Sequence, residues 1–294
     1  MEKIDKVIFG DNQFFGINHR SQDKAEELLK KFSDIKNIIK VYDDAFDCGI
    51  KAVMLNSNNR AEEICQYFRD HKEKYGEISW YPSVPYPHKY ADMVNELGIF
   101  PAISEVLFKG NSTGGVFSMI GKGISAAWNK DALKMMEMLL DVEFKIYRGL
   151  NVKVFFLLNP ITDLILGYGI KEIFEHYCDY VRKKYKVTPG FITLNMPLLK
   201  QQLEKWGIED VVICSTINKV GYNMFPSKEE YEKTIATNDP SKYQLMAMSP
   251  LASGSITPQE AFDYVNGLNL QSVVFGASSK GHIQSSLDMI KIKE

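Results

Sequence analysis

The sequence has few of the features that mark secreted, membrane-spanning or disulfide-stabilised proteins. It contains four cysteines, at positions 48, 65, 178 and 214, and none of them forms a C-x-x-C pair. The N-terminus, Met-Glu-Lys-Ile-Asp, is charged where a signal peptide would be apolar. The most apolar stretch, residues 152–158, is much shorter than the roughly 18 residues that a membrane span requires. These absences predict a soluble protein of a reducing, cytoplasmic compartment.

An excess of either charge sign is also absent. Lys and Arg number 35 against 37 Asp and Glu, which gives a formal net charge of −2. Such a balance creates no global field that would draw the chain to nucleic acid or to an anionic membrane. The sequence has no H-E-x-x-H motif and no close group of Cys, His and Asp, so we expect no metal. The expected partners are small molecules.

What the sequence does contain is a regular alternation of short apolar segments with helical patterns. The segments are rich in Val, Ile and Phe, and lie at residues 6–10, 51–55, 78–82, 152–158, 191–194, 211–215, 244–248 and 272–275. Eight buried strands that alternate with helices are typical of a parallel barrel. We therefore predict an α/β fold, a single (β/α)8 TIM barrel that spans residues 1–294.

Local signals place some of the helices. Ser227-Lys-Glu-Glu230 and Thr257-Pro-Gln-Glu260 are typical of capping boxes, and the second has proline at the first helical position. Residues 129–148 have helical spacing of apolar side chains, and the methionines at 135, 136 and 138 are interpreted as packing residues. If this helix is the third of the barrel, residues 85–128 are an insertion after strand three. We predict that the insertion is a lid on the C-terminal face, where barrel active sites lie.

The loops after the last two predicted strands are rich in small hydrogen-bond donors. They read Ser249-Pro-Leu-Ala-Ser-Gly254 and Gly276-Ala-Ser-Ser-Lys-Gly-His282. Free amides at the start of the last helix attract anions, and barrels often bind phosphate after strands seven and eight. Lys280 in that first turn opposes the helix dipole by roughly 0.3–1 kcal/mol, which a bound anion would offset. The alternative is a capped helix with a solvated lysine. The candidate ligand-binding residues are Ser249, Leu251, Ser253, Gly254, Gly276, Ser278, Ser279 and Lys280.

Segments in the last third of the chain resemble strand-loop units of aldo-keto reductases. Met248-Ser-Pro-Leu-Ala-Ser-Gly254 and Val274-Phe-Gly-Ala-Ser-Ser-Lys-Gly-His-Ile283 resemble the seventh and eighth units of that family. Ile217-Asn-Lys-Val-Gly-Tyr-Asn-Met224 is similar to the sixth, and Phe9-Gly10 and Phe15-Gly16 are similar to the first strand. The resemblance implies a barrel that binds NADP, or alternatively NAD, with the cofactor phosphates at the seventh and eighth loops.

The chain departs from this family at the catalytic tetrad. The family's Asp and Tyr after strand two would fall in Leu55-Asn-Ser-Asn-Asn-Arg60, which contains neither, and Asn56 is the nearest substitute. The family's Lys would fall near Ser83-Val-Pro85 and its His near Asn159-Pro160. Ordinary carbonyl reduction therefore loses its proton donor. The nearby residues that could replace it are Tyr86, His88 and Lys89.

A polar segment, Asp11-Asn-Gln-Phe-Phe-Gly-Ile-Asn-His-Arg20, follows the first predicted strand and belongs to the active-site end. A carboxylate in a largely apolar barrel mouth can have a raised pKa and act as general acid or base. Asp11 is the candidate for that role, while Asn12, Gln13 and His19 could orient a polar substrate. The alternative is structural, with Asp11 closing a turn and His19 paired within the loop.

Asparagines end several other predicted strands, at Asn56, Asn159, Asn195 and Asn218. They could form a neutral hydrogen-bonding ring, or each could only turn the chain. The catalytic candidates are accordingly Asp11, His19, Asn56 and Asn159. Three functions stay open: an aldo-keto-reductase-like oxidoreductase that binds NADP, NAD or another phosphate-bearing ligand, a non-redox lyase or isomerase acting on a phosphorylated small molecule, and a ligand-binding barrel without turnover. The fold by itself does not choose among them.

Overall fold

Parallel β-strands form a closed barrel at the centre of the computed structural model, which describes residues 1–15, 22–86 and 130–292. The strands are β1 Val7–Phe9, β2 Ala52–Asn56, β3 Ser79–Val84, β4 Asn151–Val152, β5 Val154–Leu157, β6 Thr188–Thr193, β7 Val211–Thr216, β8 Tyr243–Met248 and β9 Ser272–Phe275. The helices in the described ranges are α1 Gln22–Lys31, α2 Ile35–Asp47, α3 Ala61–Asp70, α4 Lys72–Tyr75, α5 Lys130–Lys145, α6 Asn159–Tyr168, α7 Lys171–Tyr180, α8 Met196–Trp206, α9 Lys228–Ala236, α10 Pro258–Asn266 and α11 Lys280–Met289. All eight predicted strands are present, and the predicted barrel is confirmed.

The barrel closes because its first and last strands pair with each other. β1 lies between β2 and β9, and the strands between them pair in sequence order. β4 and β5 share the fourth position of the barrel: Trp80 pairs with Val152, and Ser83 pairs with Phe156. Three positions separate the two residues on β3 (83 − 80) and four separate their partners (156 − 152). The extra residue is a β-bulge near Lys153, which divides the predicted strand 152–158 in two.

Apolar side chains fill two separate layers, one inside the barrel and one between the barrel and its helices. Successive strand residues point to opposite faces, so Ile8 belongs to the inner cluster and Phe9 to the outer one. Large inner side chains leave little room at some positions. A Cβ atom on Gly190 would lie 2.5 Å from the ring of Phe156, so this strand position requires glycine. The barrel is therefore a packed core with its functional surface at one end.

The N-terminal segment closes the opposite end of the barrel. The N–H of Ile4 donates to Oε1 of Gln244 at 2.8 Å, and Nε2 of Gln244 donates to the carbonyl of Glu2 at 2.7 Å. The hydroxyl of Tyr81, an inner residue of β3, donates to the carboxylate of Asp5 at 2.6 Å. These contacts cover the end where the strands begin, which leaves the end where they finish for a ligand.

The helix starts largely follow the sequence signals. Thr257 forms the full capping box with Glu260, and Ser227 accepts from the N–H of Glu230. The helix predicted over 129–148 is α5. Met136 is buried as expected, but the packing interpretation is wrong for Met138, whose exposed fraction is 67% because it lies on the outer face of α5.

Several predictions concern residues outside the described ranges. The insertion at 85–128 is described only at Pro85 and Tyr86, so the lid stays a prediction. His19, His88 and Lys89 also lie outside the described residues. Within those ranges, no helix combines the length and the apolar character that crossing a bilayer requires.

Candidate functional site

Asp11 lies at the end of the barrel where the strands finish, two residues after β1. Its Oδ2 accepts a hydrogen bond from the backbone N–H of Asn56 at 2.9 Å, which joins the ends of β1 and β2. The residue is only 6% exposed. Burial raises the pKa of Asp11 to about 7, against the smaller opposing effect of backbone hydrogen bonds from Asn56 and from Asp11 itself. The carboxyl group therefore changes its protonation state near neutral pH.

The surroundings of Asp11 are aromatic. Burial, and after it the charge of Asp11, raises the pKa of Tyr42 on α2 and of Tyr86 after β3. Tyr147, beyond the end of α5, also has a pKa raised by burial, by Cys65 and by Asp11. The fully buried hydroxyl of Tyr42 has no hydrogen-bond partner within the described residues. Tyr86 is half-buried, and it brings a second proton-bearing group to the Asp11 end of the barrel.

The strand-end asparagines are engaged in local turns. Oδ1 of Asn56 accepts from the backbone N–H of Asn58 at 3.2 Å and from its side-chain amide at 2.9 Å. Oδ1 of Asn195 accepts from the third residue of α8 at 3.2 Å and caps that helix. Asn218 accepts from the N–H of Tyr222 and donates to its carbonyl, both at 2.9 Å. The structure therefore places these three side chains in turn-forming hydrogen bonds.

The positions of this chain at which the family's tetrad would fall do lie at strand ends. The segment 57–60 follows β2, Pro85 follows β3, and Asn159 begins α6 shortly after β5. Asn159 is half-buried and lies at the same end of the barrel as Asp11. None of these positions supplies the proton donor that the resemblance would require.

The loop after β8 adopts an unusual backbone conformation. Ser249, Ala252 and Ser253 have φ values of 52°, 45° and 56°, in the left-handed region that residues with a side chain rarely adopt. Each such residue costs on the order of 1–3 kcal/mol, and this kind of strain clusters at binding sites. Among the described residues, the backbone amides of Leu251 and Ser253 donate to no acceptor. Consecutive amides in turns of this kind form concave anion sites.

The loop after β9 brings positive charge to the start of α11. Ser279 is the N-cap of α11 by its backbone conformation, but its side chain forms no capping hydrogen bond. Lys280 pairs with Asp47 at the end of α2, with 2.7 Å between Nζ and Oδ2. Lys31 at the end of α1 donates to the carbonyl of Ser278 at 3.2 Å. In the structure the charge of Lys280 is thus balanced by Asp47, whereas the sequence suggested that a bound anion would offset it.

The turn after β1 contacts the loop after β9 directly. The N–H of Gly10 donates to the carbonyl of Phe275 at 2.8 Å. Gln13 lies in the short helical turn Asn12–Phe15, and its side chain packs against the exposed Gly276. The two loops therefore form one continuous surface at the mouth.

A second carboxylate at this end, which is half-buried, could not be found from the strand-end pattern in the sequence. Asp163 of α6 accepts from the N–H of Leu194 at 3.0 Å and from the hydroxyl of Thr193, both at the end of β6. Burial raises the pKa of Asp163. A strand-end search does not find a carboxylate on a helix, but an acidic residue one turn into a helix that starts at a strand end is a usable signal. Its hydrogen bonds indicate that it positions the loop after β6.

A metal centre is not visible in the parts of the chain that the structure describes. No group of three or more His, Cys, Asp or Glu residues in those ranges is placed to hold an ion. Cys65, Cys178 and Cys214 are buried, and burial raises the pKa of each thiol well above its usual value. Buried thiols of this kind are weak nucleophiles and weak ligands.

Comparison with known proteins shows the fold and no more. No protein-family profile and no curated protein matches the sequence. Solved structures do match. An aldo-keto reductase of Bombyx mori in complex with NADP is 11% identical, with a TM-score of 0.58 over 100% of this chain and 86% of that chain. An aldo-keto reductase of Bacillus halodurans in a holo form is 11% identical, with a TM-score of 0.55 over 98% and 87%. A Pseudomonas aeruginosa structure described as a putative aldo-keto reductase is 12% identical, with a TM-score of 0.57 over 96% and 88%.

These identities are too low to carry an activity from one chain to another. The matches extend over nearly the whole length of both chains, so they establish a common barrel architecture. The barrel that the sequence resemblance implied is thereby confirmed. Cofactor, substrate and catalytic residues have to be argued from the side chains of this chain.

Proposed function

We propose that this chain is an aldo-keto-reductase-like oxidoreductase that binds NADP, NAD or another phosphate-bearing ligand at the loops after β8 and β9. The observation that carries the proposal is Asp11. Its carboxyl group is buried at the end of the barrel that bears those loops, and burial raises its pKa to about 7. A group that is half-protonated near neutral pH can donate or accept a proton in a catalytic step.

The loop after β8 fits the phosphate groups of such a ligand. The backbone amides of Leu251 and Ser253, which donate to no acceptor among the described residues, offer two donors on a strained and therefore pre-formed turn. Lys31 and Lys280 add positive charge at the neighbouring loop. The exposed ion pair of Lys280 with Asp47 is weak, so a phosphate can compete for the lysine at little cost.

The positions of these groups indicate a separate role for each of them in the reaction. A bound nicotinamide would supply or accept a hydride. Asp11 would move the accompanying proton, either directly or through the half-buried Tyr86, whose pKa already responds to the charge of Asp11. Asn56 holds the Asp11 carboxylate in place through its backbone N–H. This arrangement would replace the usual tetrad by groups after β1 and after β3.

A fluorescence titration with NADPH and with NADH tests the ligand. We expect at least one of them to bind, and we expect Lys280→Ala to weaken binding by about 1–3 kcal/mol where a charge-assisted hydrogen bond is lost. Lys219→Ala is the matched control, because Lys219 is also half-exposed and paired, with Glu260, on a loop of the same barrel end. Equal effects of the two variants would contradict the proposed phosphate site. No binding of either nucleotide would contradict the redox function and favour the non-redox alternative.

A further inference from the structure

Gln13 is held in one orientation against the backbone of Gly276. Its Nε2 donates to the carbonyl of Gly10 at 2.7 Å, which directs Oε1 toward the end of β9. A Cβ atom built on Gly276 would lie 2.1 Å from this oxygen and 3.1 Å from Cδ of Gln13. A side chain at position 276 would therefore displace the amide of Gln13 from this orientation.

The side-chain amide oxygen of Gln13 is a buried acceptor. It has almost no contact with solvent and no hydrogen-bond partner in the described part of the chain. Reversing the amide would place this oxygen against the carbonyl of Gly10, so the orientation is fixed by the pairing of donor with acceptor. An amide oxygen carries partial negative charge, and in a site shielded from water it repels an anion strongly.

We infer that Gln13 is a specificity-determining residue that keeps phosphate away from Gly276 and directs it to the loop after β8 and to Lys280 at the start of α11. The inference rests on the proposed function, since it concerns which loop holds the phosphate of the ligand. It departs from the sequence prediction that Gly276 is one of the ligand-binding residues. Phosphate then has the backbone amides of Leu251 and Ser253 as its donors, while the space beside Gly276 is closed to it.

Isothermal titration with inorganic pyrophosphate tests the inference on the full chain. Gln13→Ala removes the oxygen and opens the surface of Gly276, so we expect pyrophosphate to bind about tenfold more tightly, which corresponds to about 1.4 kcal/mol. Gln13→Glu keeps the size and adds negative charge, so we expect weaker binding than in the unaltered chain. Gln66→Ala is the matched control, because Gln66 is an exposed glutamine on α3 whose amide pairs with Asp70, and we expect the pyrophosphate affinity of this variant to stay unchanged.

A second measurement checks the geometry without a ligand. Gly276→Ala should lower the melting temperature, because the added methyl group meets the Gln13 oxygen. In the double variant Gln13→Ala with Gly276→Ala the loss should largely disappear. A loss that persists unchanged in the double variant would show that Gln13 is not what requires glycine at position 276.

The two proposals fail in distinguishable ways. If the unaltered chain binds NADPH and Gln13→Ala leaves the pyrophosphate affinity unchanged or lower, the inference is wrong and the proposed function stands. If no nucleotide binds but Gln13→Ala gains affinity for pyrophosphate, the inference stands and the proposed function is wrong. If none of the variants binds either probe, both are wrong.

Discussion

Replacing Asp11 with asparagine should stabilise the protein at neutral and alkaline pH. The side chain keeps its size and can still accept the Asn56 N–H, but it no longer ionises in a buried site. The pKa of Asp11 rises from 3.8 to about 7, and each factor of ten in proton affinity is worth about 1.36 kcal/mol. The buried charge therefore costs the folded state about 4 kcal/mol above pH 7.

The sign of the effect depends on pH. Below about pH 4, Asp11 is protonated in both the folded and the unfolded chain, and its ionisation contributes nothing. Between about pH 4 and pH 7 the unfolded chain releases the proton while the folded chain retains it, so unfolding becomes easier. Above pH 7 both are ionised and the full cost is present. The advantage of Asp11→Asn should therefore grow through this window and then level off.

Urea denaturation of both proteins at a series of pH values measures the difference in unfolding free energy. Asp47→Asn is a control of opposite sign, because the hydrogen bond and charge of Lys280 hold the pKa of Asp47 below its usual value. The stability that Asp47 contributes is lost as pH falls, so that variant should differ most from the unaltered chain at neutral pH and least in acid. An Asp11→Asn advantage that does not vary with pH, or a less stable Asp11→Asn protein at pH 8, would refute the assignment of a buried, ionisable Asp11.

Two further predictions concern helix capping and chemistry. Thr257→Ala should lower the unfolding free energy by about 1 kcal/mol because it removes a complete capping box, whereas Ser279→Ala should cost clearly less because its hydroxyl caps nothing. Urea denaturation of both variants checks the contrast, and equal losses would contradict it. Common aldehydes and ketones with NADPH should be reduced slowly, since the acid of the family's tetrad is absent from its usual position after β2, and the loss of an acid from such a position costs about 10²–10⁴ in rate. Turnover at ordinary reductase rates, followed by NADPH absorbance, would be the contrary result, as would any residual turnover that Asp11→Asn leaves intact.

The barrel could be predicted from the sequence because each of its strands carries a local signal. A short apolar run that ends at Gly, Pro or Asn is a local signal for a buried strand, and alternation with helices limits the topology. The bulge at Lys153 was not accessible, because it arises from the register between β3 and its neighbours. Register is a relation between two strands, and neither segment contains it alone.

The candidate site was harder to predict from the sequence because its decisive contacts join distant parts of the chain. Lys280 meets Asp47 across 233 positions, so the charge near α11 could not be assigned from the loop sequence alone. Asp11 was correctly placed at a strand end, but its aromatic surroundings come from α2, from the segment after β3 and from the segment after α5. An asparagine at a strand end has the same sequence pattern whether it turns the chain or binds a ligand. Only the hydrogen bonds in the structure distinguish these two roles.

A structure of the protein with NADPH bound most directly tests the central claim, which is that the loop after β8 holds phosphate next to the Asp11 end of the barrel. We predict the pyrophosphate oxygens within about 3 Å of the amides of Leu251 and Ser253, and the nicotinamide ring on the side of Asp11. Pyrophosphate bound elsewhere, or a nicotinamide remote from Asp11, would contradict it.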